Sequence, residues 1–132
     1  MCDILVVDDY APQRLAAVQR LRGLGYRVGS VVDTDALWHF LSRHTVRVIL
    51  LDVILPDREG TGLDRDGGFK VARELAKRYP NIPIVILTAR VGPFPDVPTV
   101  DMPTVSAIFS KPAPGTLLRQ AIERAIRGSA DD

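Results

Sequence analysis

The sequence predicts an α/β fold: a mostly parallel sheet with helices on both faces. Three observations predict it. Short apolar runs (Ile4–Val7, Val46–Leu51, Ile84–Leu87, Ala107–Phe109) alternate with stretches of helical periodicity. The runs are too continuously apolar for half-exposed strands and suit strands buried on both faces. Each ends on a polar or charged group: Asp8-Asp9, Asp52, Thr88 and Ser110-Lys111. Strand–helix alternation builds parallel sheets through right-handed crossovers, so strand ends of this sense share one edge.

The elements follow in order. After the first strand, Pro12 suits a helix start, where its missing N–H is no loss. Leu15, Val18 and Leu21 continue at helical spacing, and Gly23 and Gly25 stop the pattern. Tyr26 to Val32 reads as the second strand. Asp33 or Thr34 can cap a helix with Ala36, Leu37, Phe40 and Leu41 on one face. The strand ending in Asp52 comes next. From Asp57 to Gly68 the chain is polar and carries Gly60, Gly62, Gly67 and Gly68, which reads as a loop. Phe69, Ala72, Leu75, Ala76 and Tyr79 form the face of a third helix, closed by Pro80. The Thr88 strand follows. Between Arg90 and Thr104 stand Pro93, Pro95, Pro98 and Pro103. An interior proline costs a helix about 3 kcal/mol, so this stretch is expected to be extended or irregular. Pro114 opens a last helix with Leu118, Ala121, Ile122 and Ala125 inward. Residues 1–127 form one domain in this reading, and 128–132 a disordered polar tail.

Composition narrows the classes. A length of 132 residues suits one core. A formal net charge of +1 gives no electrostatic case for nucleic acid or an anionic membrane. Cys2 is the one cysteine, which excludes an intrachain disulfide and a cysteine metal site and points to a reducing compartment. No apolar run approaches the ~20 residues of a membrane span. A soluble, cytoplasmic protein is expected. His39 and His44 read as surface residues, Trp38 as partly buried packing, and Asp33 and Asp35 as capping residues.

The acidic edge suggests chemistry. Two like charges ~4 Å apart repel by about 4 kcal/mol at an effective dielectric near 20. Asp8, Asp9 and Asp52 brought together therefore need a shared proton or a cation. A small all-oxygen donor set with room for water suits Mg²⁺, with Mn²⁺ as the alternative ion. Such a cation also holds a phosphoryl oxygen. Lys111 can neutralise a second oxygen and the Thr88 hydroxyl can donate to a third, which is most of what phosphoryl transfer requires. Asp52, alone at its strand end, is the candidate nucleophile, able to form an acyl phosphate.

The run Ile4-Leu5-Val6-Val7-Asp8-Asp9, with Leu51-Asp52 and Pro56, Thr88-Ala89 and Lys111-Pro112, resembles the receiver domain of two-component response regulators. The resemblance implies a flavodoxin-like, doubly wound five-stranded parallel sheet in the order 2-1-3-4-5 with five helices, the fourth here replaced by the proline-rich loop. It implies Asp52 as phosphoacceptor, Asp9 as direct Mg²⁺ ligand, Asp8 as ligand through water, and the Ile54 backbone carbonyl completing the set. It further implies Thr88 as a switch hydroxyl, Lys111 as the phosphate's counter-charge, and a usually cis bond to Pro112. Three departures stand out. Ile108 holds the place, three residues before the lysine, where the family usually has Tyr or Phe, and Phe109 is expected on the opposite face. The loop after Asp52 is about seven or eight residues longer than the family norm. The proline segment replaces a helix that normally helps form the output and dimer face.

The leading expectation is a phosphoacceptor switch. It takes a phosphoryl group on Asp52 from a sensor histidine kinase or phosphotransfer protein and signals through protein contacts. It catalyses only its own phosphorylation and dephosphorylation, with an unknown output protein and no nucleic acid or membrane partner. A homodimer stays open. With no DNA-binding segment after the domain, direct control of transcription is not expected. The alternative is a degenerate receiver, a binding scaffold independent of phosphorylation. An aspartate-nucleophile phosphatase would need a second acid where Ile54 stands. A flavin carrier would need a phosphate-binding first loop, which Asp8-Asp9 would repel.

Overall fold

The computed structural model describes residues 2–52, 67–88, 104–110 and 115–130. Five strands, β1 (Cys2–Val7), β2 (Val28–Val31), β3 (Val46–Asp52), β4 (Ile84–Thr88) and β5 (Val105–Ser110), form one parallel sheet in the order β2-β1-β3-β4-β5. Four helices are described: α1 (Ala11–Gly23), α2 (Thr34–Arg43), α3 (Gly67–Arg78) and α4 (Gly115–Ala130). The predicted fold and strand order are the ones observed. The proline-rich stretch expected in place of a further helix lies outside the described residues, as do most of the long loop after Asp52, Ile54 and Lys111.

The sheet is covered on both sides because side chains alternate along each strand. Ile4, Val6, Val48, Leu50 and Val85 meet α1 (Val18, Leu21) and α4 (Leu118, Ile122, Ala125). Leu5, Val7, Ile49, Leu51, Ile84 and Ile86 meet α2 (Leu37, Leu41) and α3 (Ala72, Leu75). Most of these side chains are fully buried, each contributing roughly 1.5–3 kcal/mol relative to exposure. Local signals act as expected in several places. Asp33 caps α2 by accepting the Ala36 N–H at 2.8 Å. Gly25, at φ 99°, ends α1 while its N–H donates to the Arg22 carbonyl at 3.0 Å. Trp38 is half-buried under the Arg78 guanidinium, 4.5 Å from the ring centre. His39 and His44 are exposed, and the His44 ring lies 4.4 Å from that of Phe40.

Four expectations need correction. Leu15 is not on the buried face of α1: it is 54% exposed. The packed stripe runs through Ala17, Val18 and Leu21 with the half-buried Arg14 in line, and Leu15 falls about 100° away from Arg14 on a helix of 3.6 residues per turn. The second strand is shorter than Tyr26–Val32. Leu21 holds the Tyr26 N–H at 3.4 Å, and Val32 is exposed beyond the last pair, Val7 with Val31. Gly67 and Gly68 belong to α3, not to the preceding loop. The packing of Ala72 and Leu75 on the sheet offsets the roughly 1 kcal/mol each glycine costs a helix relative to alanine. Finally, α4 continues through Gly128 to Ala130, into the stretch expected as a tail.

β5 carries one irregularity. Ile84 pairs with Val105 but Val85 with Ala107, so Ser106 is an extra residue in the ladder. Its hydroxyl donates to the Ile84 carbonyl at 3.3 Å. Beyond the bulge Ile86 pairs with Ile108, Leu87 with Phe109 and Thr88 with Ser110. Phe109 packs with the α1 and α4 cluster, while the side chain of Ile108 lies outside the described residues.

Candidate phosphoacceptor and metal site

The site is built by strand register. Val7 pairs with Leu51, so Asp8 and Asp52 emerge side by side as β1 and β3 end. Asp52 in turn pairs with Leu87, placing Thr88 one residue further along the neighbouring strand. Two of the three acids are buried: Asp8 is 4% exposed and Asp52 7%, while Asp9 is exposed. One carboxylate oxygen from each of Asp8, Asp9 and Asp52 can be chosen so that all lie within 4.8 Å of one another. Among the described residues this is the one group of three or more acids, histidines or cysteines so arranged.

The donor set fits a hard cation. It is all carboxylate oxygen, small in number and partly open through Asp9, which suits an ion that keeps part of its water. The repulsion of carboxylates that close is eased by a shared proton or by positive charge among them. The backbone prepares Asp8 as well. Its carboxylate Oδ1 accepts the Tyr10 N–H at 2.9 Å, and its own N–H donates to the Val31 carbonyl at 3.2 Å.

One contributor is absent from the sequence argument. Arg14 reaches back from α1 and donates from Nη1 to the Asp8 carbonyl at 3.1 Å. A signal for it was present: Arg14 stands four residues before Val18 and seven before Leu21, on the buried stripe. An arginine there must run its stem along apolar surface and place its head at the stripe's end. Of the predicted site residues, Asp8, Asp9 and Asp52 are brought together. Thr88 ends β4 beside Ser110 with its side chain outside the described residues, and Ile54 and Lys111 are outside them entirely.

Comparison with known proteins bears on this geometry. The family model for the response regulator receiver domain matches residues 4–123. The chain belongs to that family. Among curated relatives, the transcriptional regulatory protein GlrR of Escherichia coli is 29% identical over 127 residues, 96% of this chain and 26% of that protein. The response regulator protein TrrA of Thermotoga maritima, whose structure is a complex with Mg(2+)-BeF, superposes with a TM-score of 0.75 at 20% identity, over 95% of this chain and 99% of that one. A signal receiver domain of an HD domain-containing protein from Pseudomonas fluorescens gives a TM-score of 0.80 at 19% identity, covering 99% and 98%. At these identities the two structures speak for the fold. The receiver chain spans 16 to 31% of the length of the curated relatives it matches. No helix among its described residues is long and apolar enough to cross a membrane.

Proposed function

We propose that this receiver is a phosphoacceptor switch in which Asp52 takes a phosphoryl group from a phosphohistidine, on a histidine kinase or a phosphotransfer protein, in the cytoplasm. The observation that carries the reading is the meeting of Asp8, Asp9 and Asp52 within 4.8 Å at adjoining strand ends. Asp52 attacks phosphorus, an O–P bond forms, the N–P bond breaks, and the donor histidine leaves with the bonding pair. The result is an acyl phosphate on a 7% exposed side chain, where approach of water is restricted. Mg²⁺ supplies positive charge for the phosphoryl oxygens when bound; Mn²⁺ has the same oxygen preference. Asp9 is assigned as direct ligand, Asp8 as ligand through water, and the Ile54 carbonyl as the remaining protein oxygen. Asp8 suits the indirect role because one of its oxygens already accepts the Tyr10 N–H. Thr88 donates its hydroxyl to the phosphoryl group and Lys111 supplies a fixed cation. The Mg(2+)-BeF complex of TrrA supports carrying the ion to this chain.

The output is contact with a protein partner. GlrR is named for transcriptional regulation, and such an output here would need a DNA-binding partner or segment. A phosphorylation-independent scaffold is the second reading, favoured by Ile108 where the family usually has an aromatic ring. One experiment separates the two. The chain is incubated with a small-molecule phosphodonor and Mg²⁺ and weighed by mass spectrometry. Gain of one phosphoryl group, lost in Asp52→Asn and on chelation, is the expected result. No gain with any donor would leave the scaffold.

A further inference from the structure

The start of α1 is fastened to the acidic pocket instead of being capped by its own side chain. Tyr10 occupies the N-cap position without a side-chain cap bond, and the first turn holds no acid. Two bonds tie this helix start to Asp8, and one ordinary helical bond joins the residues that make them. The Tyr10 N–H donates to the Asp8 carboxylate at 2.9 Å, the Arg14 N–H donates to the Tyr10 carbonyl at 2.9 Å, and Arg14 Nη1 donates to the Asp8 carbonyl at 3.1 Å. A guanidinium this near a helix N-terminus is opposed by the helix dipole, typically by about 0.3–1 kcal/mol. It also adds positive charge beside a pocket that suits a cation. Neither effect favours arginine here, whereas the bond to the Asp8 carbonyl does. That carbonyl belongs to the planar peptide joining Asp8 to Asp9. Holding it fixes the plane from which the exposed Asp9 leaves the strand end.

We infer that Arg14 is a positioning residue for the metal pocket: it pins the Asp8–Asp9 peptide so that both carboxylates are preset for a small hard cation. This rests on the proposed reading of the pocket as a Mg²⁺ site. The inference makes a prediction of opposite sign to simple charge. Removing a nearby positive charge alone would tighten Mg²⁺ binding, whereas removing the pin loosens it. Arg14→Met keeps the apolar stem and loses donor and charge, and Arg14→Lys keeps a charged donor.

The test uses the full chain, with all variants shown folded by far-UV circular dichroism at the working temperature. In calorimetric titration with Mg²⁺ alone, Arg14→Met should bind about fivefold or more weakly than wild type and Arg14→Lys within about twofold of it. Binding by Arg14→Met as tight as wild type, or tighter, would overturn the inference. In metal-free protein, amide hydrogen exchange at Tyr10 should accelerate by roughly tenfold in Arg14→Met and stay near wild type in Arg14→Lys. Unchanged exchange in Arg14→Met would overturn it too. A wild-type chain that ignores Mg²⁺ sinks the proposed function, and the exchange measurement then decides by itself whether Arg14 holds the peptide.

Discussion

The two edges of the sheet use aspartate in opposite ways. Where the strands begin, Asp3 accepts the Arg27 N–H at 2.9 Å and lies 3.8 Å from the Arg47 guanidinium. Where the strands end, three aspartates gather within 4.8 Å of one another, two of them more deeply buried than Asp3. The first edge matches acid with base and stabilises the fold. The second gathers three carboxylates in a set that could hold a cation. The two edges thus place a base beside an acid in one case and further acids beside an acid in the other.

The largest effect that would break this contrast concerns Mg²⁺. Replacing Asp9 or Asp52 by Asn should weaken Mg²⁺ binding by about a hundredfold or more, roughly 2.7 kcal/mol, in a calorimetric titration. Asp3→Asn should leave it unchanged, and equal losses at both edges would dissolve the distinction. Next comes stability without metal. Asp52→Asn removes one charge from a repelling cluster and should raise the urea-unfolding free energy by about 1 kcal/mol. Asp3→Asn should lower it by up to about 1 kcal/mol, since an exposed pair and one side-chain hydrogen bond are worth no more. A fall at both positions would show that the end-edge acids stabilise the fold as Asp3 does.

The smallest effect lies at the beginning edge. Burial pushes the Cys2 thiol above its ordinary value, outweighing the bonds to the Gly29 and Ile4 backbone, which act in the other direction. The folded state therefore holds this proton longer than the unfolded chain. The associated stability is complete below the ordinary value of 9.0 and is lost as pH rises above it towards the folded value. Denaturation followed across that range should show an alkaline slope that is shallower in Cys2→Ala. An identical slope would assign it to other groups.

Much of this was legible in the chain because strand ends announce themselves. A buried parallel strand is apolar along its central run, so Asp8 and Asp52 mark where the runs of β1 and β3 stop, and register does the rest. Asp33 could be read as a cap since its signal is local. The misreadings came from competition between local pattern and tertiary packing. Leu15–Val18–Leu21 and Arg14–Val18–Leu21 are both helical spacings. Hydrophobicity alone chooses leucine, whereas in the structure Leu15 is exposed and Arg14 is half-buried with its head on a carbonyl. Gly67 and Gly68 looked like loop because their intrinsic preference is weighed before the packing of Ala72 and Leu75 is known. The bulge at Ser106 leaves no mark in the sequence: it exists only in the pairing of β5 with β4.

That single surplus residue adjusts length. Were the same chain paired with no bulge, Phe109 would stand level with Thr88 and Ser110 would lie one step beyond the rim, about 3.3 Å along the strand. With the bulge, Ser110 stops flush with Thr88 at the rim of the sheet. Deleting Ser106 would straighten the strand and leave Ser110 level with Thr88, whereas filling the bulge into the ladder would move every later residue of β5 by one place.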